Sequence, residues 1–469
     1  MLSARQSSTG RFDAVIDSQR EGNSGMRVVV VGTGYVGLVS GACFADFGHH
    51  VTCIDKDANK IAALRCGDIP IYEVGLTELV SVNTQQGRLE FSTDPAAVVP
   101  QAEAVVIAVG TPSRRIDGHA DLSYLYSAVT ELAPLLSRST VIITKSTVPI
   151  GTADEIERML RELRPDGEFL VVSNPEFLRE GTAIKDFKEP DRIVVGTDDA
   201  RARVVIAELY QPLYLNSAPI LFTGRRTAEV IKYAANAFLA TKIAFINEIA
   251  DLCEHVGADV QDVSRGMGLD DRIGTKYLRA GPGFGGYCLP KDALALIKTA
   301  QDHGTSLRIV EATVAVNEQR KRGMARKVTA ALDGSIRGKT IAVLGLTFKP
   351  ETDDMREAPS IALITALHDL GAKVRAFDPA GMEQAKSALP EIAYCDGPYS
   401  AAEGAHAVVI MTEWEQFRAL DFAQLKRVMA SPVMIDLKNV YRPDDLIKAG
   451  FVYEGVGRSR AGHSKNPIT

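Results

Sequence analysis

Three absences bound what this chain can be. Its 469 residues hold no apolar run of about eighteen, the length that would mark a bilayer-crossing helix. The six cysteines, Cys43, Cys53, Cys66, Cys253, Cys288 and Cys395, show neither disulfide-like nor metal-like spacing, which fits reduced thiols in the cytoplasm and no bound metal. Positive charge is not in excess either: 53 Lys and Arg stand against 59 Asp and Glu, a net of -6, so nothing draws the chain as a whole to nucleic acid. Residues 1–25 are polar and lack a hydrophobic segment, and read as a disordered tail, not a secretory signal. Residues 458–469 read as a second solvated tail. What remains is 46% apolar and 24% charged overall, ordinary for a globular enzyme of two or three domains.

The most informative stretch is Gly281-Pro282-Gly283-Phe284-Gly285-Gly286-Tyr287-Cys288-Leu289-Pro290-Lys291-Asp292. It sets a thiol beside a cation and a carboxylate in a glycine-dense loop, where backbone can crowd a ligand and a neighbouring cation can activate sulfur. The bland alternative is a tight turn beside a buried, inert cysteine. A second signature supplies context. The apolar run Met26 to Val31 leads into Gly32-Thr33-Gly34-Tyr35-Val36-Gly37 and then a helical pattern through Phe47, the strand, turn and helix setting of a dinucleotide fingerprint. Gly32 makes the turn, Gly34 admits the pyrophosphate and Gly37 packs helix on strand. The next strand, His50 to Ile54, ends at Asp55, where a carboxylate accepts bonds from ribose hydroxyls and repels a ribose phosphate. The expected cofactor is NAD, with a flavin site or a degenerate nucleotide fold as the alternative.

From Met26 to Gly224 strands and helices alternate, with strands expected at 104–109, 140–144, 169–172, 192–195 and 220–222. Such alternation implies a parallel sheet with helices on both faces and ligands at the strand ends. Two strand ends carry suggestive loops, 109–112 and 145–152. Between Thr227 and Val256 there is no Pro or Gly, and apolar residues recur from Val230 to Cys253 at helical spacing. This helix, and a second over 308–332, suit a middle section that buries spare apolar surface against another subunit; packing within one chain is the alternative. A fresh α/β unit begins at Gly338, with strands expected through Gly345 and at 373–377, 407–411 and 433–437. It lacks the full glycine fingerprint and should bind a different ligand. Its loop 346–356 supplies Lys349 and Arg356, suited to a diphosphate or simply solvated. The fold class expected is therefore α/β: two Rossmann-like doubly wound parallel-sheet domains, 26–224 and 335–457, joined by a long-helix central dimerisation domain over 225–334.

Lys232 and Asn236 lie four apart, on one helix face. On so apolar a helix the lysine either snorkels to water or is aimed into a site. The cluster Asn174-Pro175-Glu176-Phe177-Leu178-Arg179-Glu180-Gly181 follows the sixth strand, and its two glutamates suit a base and a cofactor or substrate ligand.

Taken together, Gly32 to Gly37, Ser146-Thr147-Val148-Pro149, Asn174 to Gly181, Lys232 with Asn236, the cysteine loop and Phe348-Lys349-Pro350 resemble the UDP-glucose 6-dehydrogenase family, in order from Met26 to about Gly457. The resemblance implies a four-electron oxidation. Hydride leaves the sixth carbon of the glucosyl group for NAD, Cys288 captures the aldehyde as a thiohemiacetal, a second hydride leaves, and the thioester is hydrolysed. It further implies that Lys232 and Asn236 stabilise the oxyanion, that Asp292 with a water held by Thr147 accepts the alcohol proton, and that Glu176 is the base of hydrolysis. Around NAD it places Gly32, Gly34, Tyr35, Val36, Gly37, Asp55, Lys60, Thr111, Thr147, Glu180, Lys291 and Arg356. Around the UDP-sugar it places Glu176, Phe177, Leu178, Arg179, Glu180, Lys232, Asn236, Tyr277, Leu278, Arg279, Ala280, Gly281, Gly285 and Lys349, with Arg272 reaching a neighbour's substrate in a homodimer or higher oligomer. Tyr287, Leu289 and Lys438 depart from the family's usual Ser, Phe and Arg. The rivals are a GDP-mannose or UDP-N-acetylhexosamine dehydrogenase, a two-electron hydroxyacid dehydrogenase, and a non-catalytic nucleotide-sugar sensor, which has no use for Cys288, Lys232, Asn236 and Asp292 together.

Overall fold

The computed structural model describes residues 25–458 except 113, 115–118, 216 and 217. Apart from Gly25 and Arg458, the two expected tails lie outside the described residues. The chain divides after Lys232 into two compact units.

In the first unit eight strands form one sheet: β1 (Arg27–Val31), β2 (His50–Ile54), β3 (Leu89–Ser92), β4 (Ala104–Ile107), β5 (Val141–Thr144), β6 (Leu170–Ser173), β7 (Ile193–Gly196) and β8 (Ile220–Thr223). Their order is β3-β2-β1-β4-β5-β6-β7-β8. Side chains alternate faces along a strand, so a sheet covered on both sides needs unbroken apolar runs. The four valines of β1 illustrate it: Val28 and Val30 enter one core, Val29 and Val31 the other. Pairing is parallel, as expected, from β3 to β6 and between β7 and β8, with one antiparallel bridge, Ser173 to Gly196, where β7 meets β6. A doubly buried strand shows the same apolar run in either direction, so burial periodicity carries no sense of polarity. Because β1 lies between β2 and β4, the chain reverses its winding there, and the crevice beyond the carboxyl ends of β1 and β4 is the natural ligand position.

In the second unit β9 (Thr340–Leu344), β10 (Lys373–Phe377), β11 (Ala393–Tyr394), β12 (Ala407–Ile410), β13 (Val433–Asp436) and β14 (Val452–Gly455) pair in the order β11-β10-β9-β12-β13-β14, every pair parallel. Ile341 and Val343 face one core, Ala342 and Leu344 the other. The first of these cores also takes Ile246, Ala250 and Cys253 from the Arg225–Val256 helix and Met324, Ala325 and Val328 from the Arg308–Ala331 helix. The long helix thus spends part of its apolar surface inside the second unit. Phe238 (66% exposed), Phe245 (46%) and Leu252 (55%) stay uncovered, seven residues apart and so on one side of it. Among the described residues no helix is long and apolar enough to cross a membrane.

Candidate active site

The fingerprint turn follows directly from β1. Gly32 takes φ +97°, and a Cβ on Gly37 would lie 1.9 Å from the Gly32 carbonyl oxygen, whereas a Cβ on Gly34 would meet nothing within 4 Å. Gly37 is therefore fixed by helix packing, while Gly34 leaves open space where a pyrophosphate needs to approach. Gly34 is the N-cap of the Tyr35–Asp46 helix and no side chain caps it, so its first-turn amides are available to an anion. Val36 is half-buried against the adjoining core. At the end of β2, Asp55 accepts from the Thr33 amide at 2.9 Å and hydroxyl at 2.8 Å, from the Asp57 amide at 3.1 Å, and pairs with Lys60 at 3.5 Å. Burial pushes its carboxyl up, but these partners outweigh burial and hold it below the usual range. Thr111 donates to the Thr147 carbonyl at 2.8 Å and Ser146 to that of Val109 at 2.7 Å; the two loops noted in the sequence are thus joined. These residues fit a dinucleotide: a cradle that only glycine leaves open, and an ionised acid beyond the second strand.

Tyr35 is engaged differently from the expectation. Its hydroxyl bonds Glu73 and accepts from the Gly181 amide at 3.1 Å, while Glu73 also takes the Gly181 and Ala183 amides at 2.6 and 2.8 Å. Burial and Glu73 push the phenol far above its usual range, and the nearby Glu180 adds to this. What Tyr35 retains for a dinucleotide is its main-chain amide.

Lys232 does not snorkel. It is 3% exposed, with Nζ 3.3 Å from Glu176 Oε1 and 5.2 Å from the Phe177 ring centroid. Glu176, itself buried, accepts the Leu178 amide at 2.5 Å. Arg179 is half exposed and paired to Asp186 at 2.5 Å, so its guanidinium is already occupied. A cavity of about 10 Å³, room for one water, is lined by Thr144, Ser146, Thr147, Val148, Ser173, Pro175, Glu229 and Lys232. The Thr144 hydroxyl is buried and finds no partner among the described residues.

In the second unit the structure corrects the setting of the thiol. Cys288 is not in a loop but is the first residue of the Cys288–Asp302 helix, half-buried and not in a disulfide. Gly286, at φ +80°, ends the loop, and Pro290 falls in the first turn, where its missing N–H has no intrahelical acceptor to lose. The sulfur therefore sits among main-chain amides whose dipoles attract an anion. Lys291, the cation expected beside the thiol, is buried, 2.8 Å from Asp292 Oδ1 outside hydrogen-bond geometry, and 5.3 Å from the Tyr287 ring centroid. Asp292 is 1% exposed and receives Asn236 Nδ2 at 2.6 Å. The spacing of Cys288 and Asp292 puts them one turn apart on one helix face.

The loop ahead of Cys288 is held from several sides. Asn317 accepts the Phe284 amide at 2.8 Å and returns a bond to its carbonyl at 3.0 Å. Arg320 donates to the Gly281 carbonyl at 2.6 Å, the Gly281 amide donates to Asn247 at 2.8 Å, and the Gly286 amide to the Arg356 carbonyl at 2.9 Å. A Cβ on Gly286 would strike the Phe348 ring at 2.7 Å, and one on Gly285 would lie 2.4 Å from the Glu357 carbonyl oxygen. Of the expected sugar-nucleotide residues, Leu278 and Ala280 are buried in the core, Arg279 is exposed, Tyr277 holds φ +64°, and Arg272 is 88% exposed on its side chain and paired to Asp270. Lys349 lies 5.7 Å from the Phe348 ring centroid. Arg356 is paired bidentately to Asp354 at 2.8 Å and stacked 4.2 Å from the Tyr287 ring centroid.

Several buried charged residues were missed, three of them in the first unit. Lys145 is fully enclosed, donating to Tyr210 at 2.9 Å and Asn174 at 3.1 Å; burial lowers its pKa to about 8. Glu73 and Glu229 are the others. For Glu229 a signal existed, since it stands three residues before Lys232 on the same helix face. For Glu73 none did.

Three segments of the chain match the UDP-glucose/GDP-mannose dehydrogenase family: its NAD binding domain over residues 26–214, its central domain over 226–319 and its UDP binding domain over 342–443. A UDP-glucose 6-dehydrogenase of Rhizobium meliloti (strain 1021) is 61% identical over 435 residues, 92% of this chain and 100% of that protein. Among solved structures, a UDP-glucose dehydrogenase from Pyrobaculum islandicum superposes with TM-score 0.85 at 37% identity, covering 94% of this chain and 100% of that one. A UDP-D-ManNAc dehydrogenase from Pyrococcus horikoshii gives 0.82 at 26%, covering 93% and 100%. With the fingerprint turn, the buried lysine and the helix-borne cysteine each standing where those matches run, the chain belongs to the UDP-glucose/GDP-mannose dehydrogenase family.

Proposed function

We propose that this enzyme oxidises UDP-glucose to UDP-glucuronate in two steps through covalent chemistry at Cys288. One observation carries the reading: a cysteine opening a helix, with a fully buried aspartate one turn later held by Asn236 at 2.6 Å. An inert structural cysteine needs no such arrangement, whereas a nucleophile attacking an aldehyde does. Gly34, the Tyr35 amide, Asp55, Lys60, Thr111 and Glu180, with Lys291 and Arg356 as further contacts, would hold NAD, which when bound would supply the hydride acceptor for each oxidation. The chain's own residues do the rest. Asp292, through a water held by Thr147, takes the proton of the C6 hydroxyl. Lys232 and Asn236 stabilise the oxygen as charge builds on it. Cys288 sulfur bonds the aldehyde carbon, which makes it tetrahedral and able to release its remaining hydride. Glu176 then draws a proton from the water that displaces sulfur; the product carboxylate and the Cys288 thiolate are released, and the protons, that of Glu176 included, pass to solvent.

The substrate assignment rests on the relative that is 61% identical and bears the name UDP-glucose 6-dehydrogenase. The similar fold of a UDP-D-ManNAc dehydrogenase makes another nucleotide sugar the second reading, with Lys438 in place of the usual Arg as the residue to watch. Tyr277 to Gly281, Gly285 and Lys349 are proposed to surround the nucleotide sugar, and residues 26–224, 225–334 and 335–457 to serve as cofactor, dimerisation and UDP-sugar domains. The uncovered Phe238, Phe245 and Leu252 support a homodimer, with Arg272 reaching the neighbour's substrate, and the reduced cysteines support a cytoplasmic setting. The test is NADH formation with UDP-glucose, UDP-galactose, UDP-N-acetylglucosamine and GDP-mannose. UDP-glucose should exceed the others at least tenfold in kcat/KM; a preference for any other overturns the assignment.

A further inference from the structure

Glu229 has been given no role in catalysis, cofactor binding or substrate binding, yet it joins the elements that carry Thr147, Glu176 and Lys232. It is 3% exposed and accepts from the Gly151 amide at 2.6 Å, the Ala153 amide at 3.0 Å and the Ser173 hydroxyl at 3.1 Å. Gly151 is the N-cap of the Thr152–Leu163 helix, and that helix has no capping side chain of its own. Its free amides are therefore satisfied by a carboxylate from another helix. Gly151 closes the loop that begins at Ser146 and contains Thr147. Ser173 ends β6, three residues before Glu176. Glu229 itself stands one turn before Lys232, and Thr147, Glu229 and Lys232 wall the same small cavity.

We propose that Glu229 is a positioning residue that fixes the Thr147 loop and the end of β6 against the helix bearing Lys232. The inference rests on the roles given above to Thr147, Glu176 and Lys232. A second contact between the same helices isolates it: Arg226 pairs with Asp154 at 2.7 Å but is largely exposed and reaches none of these loops. If simple helix docking were the purpose, breaking either contact should have similar consequences. If positioning is the purpose, only Glu229 should matter to turnover.

The test compares E229Q, S173A and R226A with the wild-type enzyme. Glutamine keeps the shape but offers one acceptor oxygen to two amides. E229Q should lose at least tenfold in kcat with KM for NAD within threefold, and amide exchange over 146–153 should quicken at least tenfold. S173A, which leaves both amide bonds in place, should shift the same way by about two- to threefold. R226A should match wild type in both. Unchanged exchange over 146–153 in E229Q, or equal losses of kcat in E229Q and R226A, would overturn the proposal. The exchange measurement needs no substrate, so a wild-type enzyme inactive on UDP-glucose would sink the functional reading and leave this one decided on its own terms.

Discussion

The two sheets carry the same turn with opposite outcomes. After β1, Gly32 holds φ +97° and its amide bonds the Ile54 carbonyl at 2.8 Å; after β9, Gly345 holds φ +93° and its amide bonds the Phe377 carbonyl at 2.9 Å. Each neighbouring strand ends in an aspartate, Asp55 and Asp378, and each aspartate takes a threonine hydroxyl from the turn, Thr33 at 2.8 Å and Thr347 at 3.1 Å. There the likeness ends. Asp378 is 1% exposed and also receives the amides of Leu346, Thr347, Ala380 and Gly381 and the Trp414 indole. Asp55 keeps a partly exposed side chain and fewer donors. A helix follows Gly34 at once, whereas after Gly345 the next begins only at Pro359. One strand-turn-acid frame thus suits a ligand when the acid keeps acceptor capacity and a helix N-terminus is aimed beside it. It becomes an internal staple when the protein fills every acceptor itself.

That contrast can be broken by exchanging which acid is removed. Asp378→Ala should cost about 3 kcal/mol or more of stability, since several buried donors lose their acceptor, while KM for NAD in the remaining folded enzyme stays within about twofold; urea unfolding and initial rates read the two. Asp55→Ala should do the reverse, raising KM for NAD about 10- to 100-fold through the loss of a charge-assisted acceptor with little change in the urea midpoint. If both variants mainly lost stability, Asp55 would be no more than a second staple. A pH series sharpens the picture of the first unit. Lys145 has its pKa lowered to about 8 from 10.5, so below pH 8 both folded and unfolded chains carry its proton and the fold bears the full cost of the buried cation. Between 8 and 10.5 the unfolded chain binds more protons, so stability should rise with pH, by at most about 3 kcal/mol. The rise should be missing from Lys145→Met, as unfolding at pH 8, 9 and 10.5 would show. The smallest effect is expected from Lys60→Ala, about a twofold increase in KM for NAD, because its contact to Asp55 is long and partly solvated.

The sequence was most legible where physics is local. Interior strands on both sheets stood out because burial on two faces demands unbroken apolar runs, and β1, β2 and β10 fall almost where expected. The edge strands β3, β11 and β14 were not foreseen: an edge strand such as β3, whose residues alternate buried and open, leaves a weaker run. The fingerprint glycines and Asp55 were readable from spacing alone. Lys232 was left between solvent and a site, and only the fold, by burying it beside Glu176, excludes the solvent reading. Cys288 was singled out in the wrong setting, because a helix beginning at the cysteine, with Pro290 inside its first turn, looks in sequence like a continuing loop. Glu73, Lys145 and Glu229 act through partners 29 to 110 residues away, and no periodicity announces such contacts.

The account turns on covalent chemistry at Cys288, and counting NADH against UDP-glucose consumed tests it most directly. The intact enzyme should form two NADH per UDP-glucose, and Cys288→Ser should fail to complete the second oxidation. One NADH per UDP-glucose with Cys288 intact would contradict the scheme.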